Sequence, residues 1–219
     1  MKFEGKDKLN IIADSWGLVT HPLVILLHGG GQTRHAWGKS GEALSSAGFH
    51  VVAIDLRGHG DSDWHPKGDY AIDSHKQDLI NIIKTFGKPA SLVGASLGGI
   101  ISLSLAGDEL HANLCESLVM VDIGLYPDPT GASKIVEWMR SAENGFASLE
   151  EAAETVAGYL PHRKRPRDTR GLKKNLRKKE DGRYYWHWDP RFLNERRGSE
   201  EYAVLEEIQR KSAERVTVP

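Results

Sequence analysis

The sequence holds a single cysteine, Cys115, among 219 residues, which excludes an intramolecular disulfide and suits a reducing compartment. A buried, inert thiol is the reading that fits it. Long apolar runs are also missing. The most hydrophobic stretches, around Leu23–Leu27 and Ile100–Leu105, are far shorter than the ~20 residues a membrane-spanning helix requires, so no membrane partner is expected. The N-terminus, Met1-Lys2-Phe3-Glu4-Gly5-Lys6-Asp7, has no apolar stretch of the signal-peptide kind, and a cytoplasmic location is expected. Nor is there an excess of charge. Twenty-nine basic residues stand against thirty acidic ones, for a net charge of −1, so overall charge gives no reason to invoke nucleic acid or an acidic membrane. Internal repeats and low-complexity segments are absent.

What is present is an alternation of short apolar runs with longer amphipathic ones from Pro22 to Ile123, the pattern of βαβ units in a mostly parallel sheet. Leu23–Leu27 reads as a strand buried on both faces and ended by Gly29-Gly30-Gly31. A helix over roughly Ala36–Ala47 and a strand at Val51–Ile54 follow. A polar, glycine-rich loop from Asp55 to Tyr70 leads to a helix with Leu79, Ile82, Ile83 and Phe86 on one face. Ser91–Val93 is the next strand, Leu97–Ala106 a mainly apolar helix, and Leu118–Val121 another strand.

After Tyr126-Pro127-Asp128-Pro129 the composition shifts to charged helices, read as a helical cap inserted after the core. The expected division is a core over residues 1–125, a cap over 126–211, and a return to the core from 212. Ser148-Leu149-Glu150-Glu151 has the form of a capping box heading a helix to about Leu160, closed by Pro161. The basic stretch from His162 to Arg197 reads as a solvated cap surface, since no nucleic-acid motif accompanies it. In Tyr184-Tyr185-Trp186-His187-Trp188 alternate side chains of an extended chain face opposite ways. Trp186 and Trp188 are therefore candidates both for cap packing and for roofing an apolar substrate pocket.

The chemistry centres on Gly94-Ala95-Ser96-Leu97-Gly98-Gly99, because it follows an expected strand and opens an expected helix. A nucleophile on so sharp a turn takes strained dihedrals, and the flanking glycines remove the Cβ atoms that would clash. The helix beginning at Leu97 aims free amides and its positive dipole end at the site, so the Leu97 N–H is a candidate oxyanion donor. The second donor is expected from Leu27-His28-Gly29-Gly30-Gly31-Gln32, where Gly30 offers an amide without a side chain.

Three runs, His28-Gly29-Gly30-Gly31, Asp55-Leu56-Arg57-Gly58-His59-Gly60-Asp61-Ser62 and Gly94–Gly99, resemble the α/β-hydrolase fold in order and spacing over residues from about 20 to 125. Val121-Asp122-Ile123-Gly124 and the charged helices look like that family's last strand before the cap and the cap itself. The resemblance implies that the Asp55–Ser62 loop is a structural turn beside the site, with His59 a buried hydrogen-bonding residue and His28 an ordering residue for the oxyanion turn. The remaining histidines, including His187, read as surface or packing residues.

The same resemblance implies a triad in the order serine, acid, histidine, with the last two beyond Val216-Thr217-Val218-Pro219, which looks like the lead-in to the next strand. About two strands, a helix or two, the usual acid and the catalytic histidine are then expected to be absent. Asp122 is a partial substitute for the acid, or a strand-end residue capping local amides. The strand ending near Val121 is expected to show an unpaired edge and apolar side chains. A fragment of a longer protein, a partner chain that completes the sheet, and a degenerate non-catalytic product are the open explanations.

The leading expectation is a serine hydrolase that cleaves a carboxylic ester or similar acyl bond in a small apolar molecule through an acyl-enzyme on Ser96, without metal or organic cofactor. Lactone, C–C bond and cofactor-free perhydrolase chemistry on the same site are alternatives, as is a non-catalytic binding protein. Epoxide hydrolase and haloalkane dehalogenase chemistry is disfavoured, because both need a carboxylate where this chain has Ser96.

Overall fold

Strands β3 (Leu23–Leu27) and β4 (His50–Ile54) are buried along their whole length, as the apolar runs Leu23–Leu27 and Val51–Ile54 require. In the computed structural model, which describes residues 1–126, 129–140, 142, 144–159, 169–194 and 199–219, they form the centre of a six-stranded sheet. Its order is β1-β2-β4-β3-β5-β6, with β1 (Lys2–Glu4), β2 (Asn10–Trp16), β5 (Ala90–Ala95) and β6 (Cys115–Val121) flanking the central pair. Pairing from β4 to β6 is parallel, whereas β1 with β2 and β2 with β4 are antiparallel.

The period-2 alternation of the central strands divides the core. Leu23, Ile25 and Leu27 join Val52 and Leu92 on one face, against Leu79, Ile82 and Ile83 of α2 (Ile72–Phe86) and Ile101 and Leu105 of α3 (Leu97–Ala106). Val24, Leu26, Val51 and Ala53 form the other face, with Trp16, Trp37 and Leu44 packed against them. Leu44 lies in α1 (Gly38–Ser46), preceded by a short 3-10 turn over Arg34–Trp37. The helix expected from Ala36 thus begins two residues later.

Beyond β6 come α4 (Pro129–Arg140), α5 (Leu149–Tyr159) and α6 (Ser199–Arg215). The capping box forms at α5: Ser148 Oγ accepts from Glu151 N at 3.1 Å, and Glu151 reaches back to Ala147 N at 2.5 Å, one residue before the cap. Pro161 and the first part of the basic stretch lie outside the described residues. Two features depart from an all-helical cap. A hairpin of β7 (Leu176–Lys178) and β8 (Tyr184–Trp186) crosses it, pairing Leu176 with Trp186. In addition, α6 runs through the expected boundary at 211 and docks on α3. There a Cβ on Gly107 would lie 2.2 Å from Ser212 O.

Among the described residues β6 is the last strand of the sheet, with apolar side chains exposed as expected. Val119 and Val121 are 50% and 37% exposed, and among the described residues this edge meets Pro219, whose carbonyl accepts from Leu118 N at 2.9 Å.

Candidate active site

Ser96 occupies the turn between β5 and α3 with φ 46° and ψ −112°, a left-handed conformation that a residue with a Cβ rarely adopts. Two glycines make the turn possible. A Cβ on Gly94 would stand 2.2 Å from Gly98 O, and one on Gly98 would stand 2.4 Å from Leu27 O, so strand, helix and β3 meet at distances that exclude side chains. The backbone of Ser96 is tied down on both sides: its N–H donates to Val121 O at 3.1 Å and its C=O accepts from Ile100 N at 3.0 Å. Its side chain is not. Ser96 is exposed, and its Oγ has no hydrogen-bond partner among the described residues.

Strain of this kind amounts to about 1–3 kcal/mol, and alanine retains it while glycine does not. Ser96→Gly is therefore expected to raise stability by about 1 kcal/mol once the greater freedom of the unfolded glycine is subtracted. Urea unfolding of the two proteins checks this, and an unchanged or lower midpoint would contradict it.

The turn after β3 lies beside Ser96, since a Cβ on Gly29 would be 3.4 Å from Ser96 Cβ. Its amides are nearly all engaged. Gly29 N donates to Gln32 Oε1 at 3.0 Å, Gly31 N to His59 Nε2 at 3.1 Å, and Gln32 N to Gly29 O at 3.1 Å. Among the described residues Gly30 N has no acceptor, and Leu97 N, at the first position of α3, has none either. The Gly29–Gly30 peptide is also fixed in direction, because Gly29 O takes a second bond from His28 Nδ1 at 2.8 Å. In a trans peptide the Gly30 N–H then points the opposite way.

Both expectations for His28 and His59 are met in geometry. Each is fully buried and each accepts a backbone N–H at Nε2, His28 from Leu56 at 3.0 Å and His59 from Gly31, so each donates through Nδ1. Burial holds both imidazoles below their ordinary range, His59 further because His28 and His187 lie beside it. Arg34 then closes the turn on the Asp55 loop. Its N–H donates to Asp55 Oδ1 at 2.7 Å, and its guanidinium pairs with Asp55, Asp61 and Asp14.

Asp122 follows β6 with φ 53°, directly after the carbonyl that holds Ser96 N. It is exposed and makes no hydrogen bond or ion pair among the described residues, so it does not cap local amides. Trp186 and Trp188 are 8% and 4% exposed and stack on each other at 4.9 Å and 12°. A Cβ on Gly31 would lie 3.4 Å from Trp188 Cζ3 and 3.0 Å from Met139 Cε, which puts these side chains directly on the turn. The two tryptophans also line a shallow recess with Trp64, Met139, Ala142 and Leu193, a recess that Ser96 does not border.

His187 is the packing rather than the surface kind of histidine, and it has specific polar partners. It is 1% exposed, its Nδ1 accepts from Gly60 N at 2.7 Å, and its Nε2 faces Gly31 O at 3.3 Å. The one signal in the sequence was its place between two tryptophans, which turns it away from their side. One further cluster, Asp7, His65 and Asp69, gathers ligand-type atoms within 4.8 Å of one another. Its charge is already met by Arg57 Nη1, 3.8 Å from Asp69 and 4.0 Å from Asp7, and by Lys6 Nζ, 3.3 Å from Asp69.

A family model described as the alpha/beta hydrolase fold matches residues 22–165, more than half of the chain. The chain belongs to the α/β-hydrolase fold family. Among curated members it is similar to an esterase of Mycobacterium tuberculosis, 30% identical over 185 residues that cover 82% of this chain and 60% of the esterase. It is also similar to protein phosphatase methylesterase 1 of Bos taurus, 30% identical over 138 residues covering 61% of this chain and 36% of that protein. The chain thus spans roughly a third to three-fifths of these relatives' length. Among solved structures, E-2-(acetamidomethylene)succinate hydrolase superposes with a TM-score of 0.82 at 21% identity, over all of this chain and 77% of that one. The mycobacterial esterase itself gives a TM-score of 0.66 at 29% identity, over 83% of this chain and 63% of that one.

Proposed function

We propose that this α/β-hydrolase chain carries the nucleophile, oxyanion donors and cap of a serine hydrolase acting on a carboxylic ester in a small apolar substrate. The observation that carries the reading is the strained, exposed and unbonded Ser96 beside two free amides, those of Gly30 and Leu97. Strain at one non-glycine residue is retained where surrounding structure holds it, and here the glycines and Val121 O do so.

In this reading Ser96 Oγ attacks the ester carbonyl, and the oxygen that gains charge is received by Gly30 N–H and Leu97 N–H at the positive end of α3. The alcohol leaves, and water hydrolyses the acyl-serine. The proton that Ser96 sheds goes to a base that the described residues do not supply, and Asp122, at the same end of the sheet, is available to orient it. Met139 and Trp188, on Gly31, form the apolar wall over the oxyanion turn. Two relatives carry esterase in their names, which favours an ester over other acyl bonds. A third similar protein is an epoxide hydrolase of M. tuberculosis, 31% identical over 118 residues, but that chemistry needs a carboxylate at the position of Ser96.

Treatment with an alkyl fluorophosphonate is expected to add one phosphonyl group, found on the peptide containing Ser96 and lost in Ser96→Ala. A folded protein that stays unmodified, alone and with the histidine-bearing C-terminal segment of a full-length relative added in trans, overturns the assignment.

A further inference from the structure

Three buried histidines surround the turn that presents the Gly30 amide, and they come from different parts of the chain. The rings of His28 and His59 lie 5.2 Å apart, and those of His59 and His187 5.9 Å apart. His28 holds Gly29 O, His59 holds Gly31 N–H, and His187 faces Gly31 O. The first two belong to the core sheet's loops. His187 belongs to the cap, directly after β8.

Gly31 has φ +75°, so it is the left-handed pivot of the turn, and a pivot is fixed when both of its peptide groups are held. His59 holds the preceding peptide and His187 the following one. The cap hairpin is itself anchored to the loop under the turn. Arg177 Nη2 donates to Gly60 O at 3.0 Å and pairs with Asp61 at 2.7 Å, Asp189 N donates to Gly58 O at 2.9 Å, and Tyr70 donates to Asp189 Oδ2 at 2.5 Å. Gly60 is gripped from both sides, its N–H by His187 and its C=O by Arg177.

We propose that His187 is a positioning residue through which the seated cap hairpin fixes Gly31, the pivot that follows Gly30, and so completes the hold on the Gly30 amide that His28 begins at Gly29 O. The consequence, which rests on the serine hydrolase reading above, is that the oxyanion donor is complete only while the hairpin is docked. His187 must be neutral and protonated at Nε2 to do this, because Nδ1 is already an acceptor for Gly60 N–H. Burial, with His28 nearby, pushes its pKa down to about 3, so the neutral form persists across the range in which proteins fold.

The test uses two substitutions that each keep half of the imidazole's bonding. In His187→Asn the amide oxygen replaces Nδ1 and keeps the Gly60 bond, but the side chain is too short for Gly31 O. In His187→Gln the amide nitrogen reaches the place of Nε2 and keeps the Gly31 bond. Amide hydrogen exchange of the full chain is expected to show Gly31 N–H losing protection by tenfold or more in the Asn variant, with α2 and α3 unchanged, and near-native protection in the Gln variant. Two-bond proton–nitrogen spectra of the unmodified protein are expected to show His187 protonated at Nε2 and His28 and His59 at Nδ1.

Fluorophosphonate labelling of Ser96 is expected to slow by about tenfold or more in the Asn variant, approaching the loss seen when one oxyanion donor is removed. Unchanged Gly31 protection in the Asn variant, or loss spread evenly over the whole chain in both variants, overturns the positioning role. If Ser96 never labels but Gly31 responds as stated, the hydrolase reading fails and the positioning role stands.

Discussion

Ser96→Ala is expected to lower kcat for ester hydrolysis by about 10⁴- to 10⁶-fold in the protein that supplies a histidine to this site, with KM nearly unchanged. The residual rate comes from the oxyanion amides and binding, which the substitution leaves in place. The fold provides the control. Alanine takes the same dihedrals as serine at φ 46°, Ser96 Oγ makes no bond among the described residues, and both backbone bonds of the turn persist. Stability should therefore stay within about 0.5 kcal/mol of the parent, as for a surface substitution that removes no contact. Matched kinetics and urea unfolding separate this from a folding defect. A loss of activity smaller than about tenfold would show that another group attacks the substrate.

The elements that read clearly from the sequence are those in which burial alone decides. Leu23–Leu27 and Leu97–Ala106 have the bounds expected of them, because a strand buried on both faces and a helix buried all round leave little room for polar residues. Expectation failed where polar residues are held by specific partners. In β2, for which no strand was expected, the inward Ile11 and Ala13 alternate with Asn10, Ile12 and Asp14, and Asn10 and Asp14 are occupied by Asp63 and Arg34. The residues of β7, Leu176-Arg177-Lys178, read as part of a charged helical surface, yet Arg177 leaves the hairpin to reach Gly60 and Asp61.

The candidate site divides in the same way. The turn at Ser96 was legible because a sharp strand-to-helix turn needs small residues at particular spacings, and the open amides of Gly30 and Leu97 follow from it. The contacts of His187 were not, since its partners Gly31 and Gly60 lie 156 and 127 positions away and neither leaves a mark in local composition. Trp186 and Trp188 were legible only as an alternating pair. That alternation is what turns His187 toward the core.

Removing the carboxylate of Asp78 is the second large effect, because it strands a buried cation. Arg57 is fully buried, and its Nε and Nη2 meet the two oxygens of Asp78 at 2.6 and 2.7 Å in a bidentate pair, to which Lys6 N adds a bond at 2.7 Å. Burial works against the Arg57 charge, yet Asp78, with Asp69 and Asp7 behind it, keeps the guanidinium above its ordinary value. Asp78→Ala is expected to cost about 3–5 kcal/mol, a large share of the 5–15 kcal/mol that holds a typical domain together. Urea unfolding measures it, and a loss below about 1 kcal/mol would contradict it. Replacing both partners, as Arg57→Met with Asp78→Leu, should recover most of the loss, since no unpaired charge then remains inside. Arg57 O is the acceptor for His59 Nδ1–H, and His59 in turn holds Gly31 N–H, so the ion pair lies on the loop that holds the turn after β3.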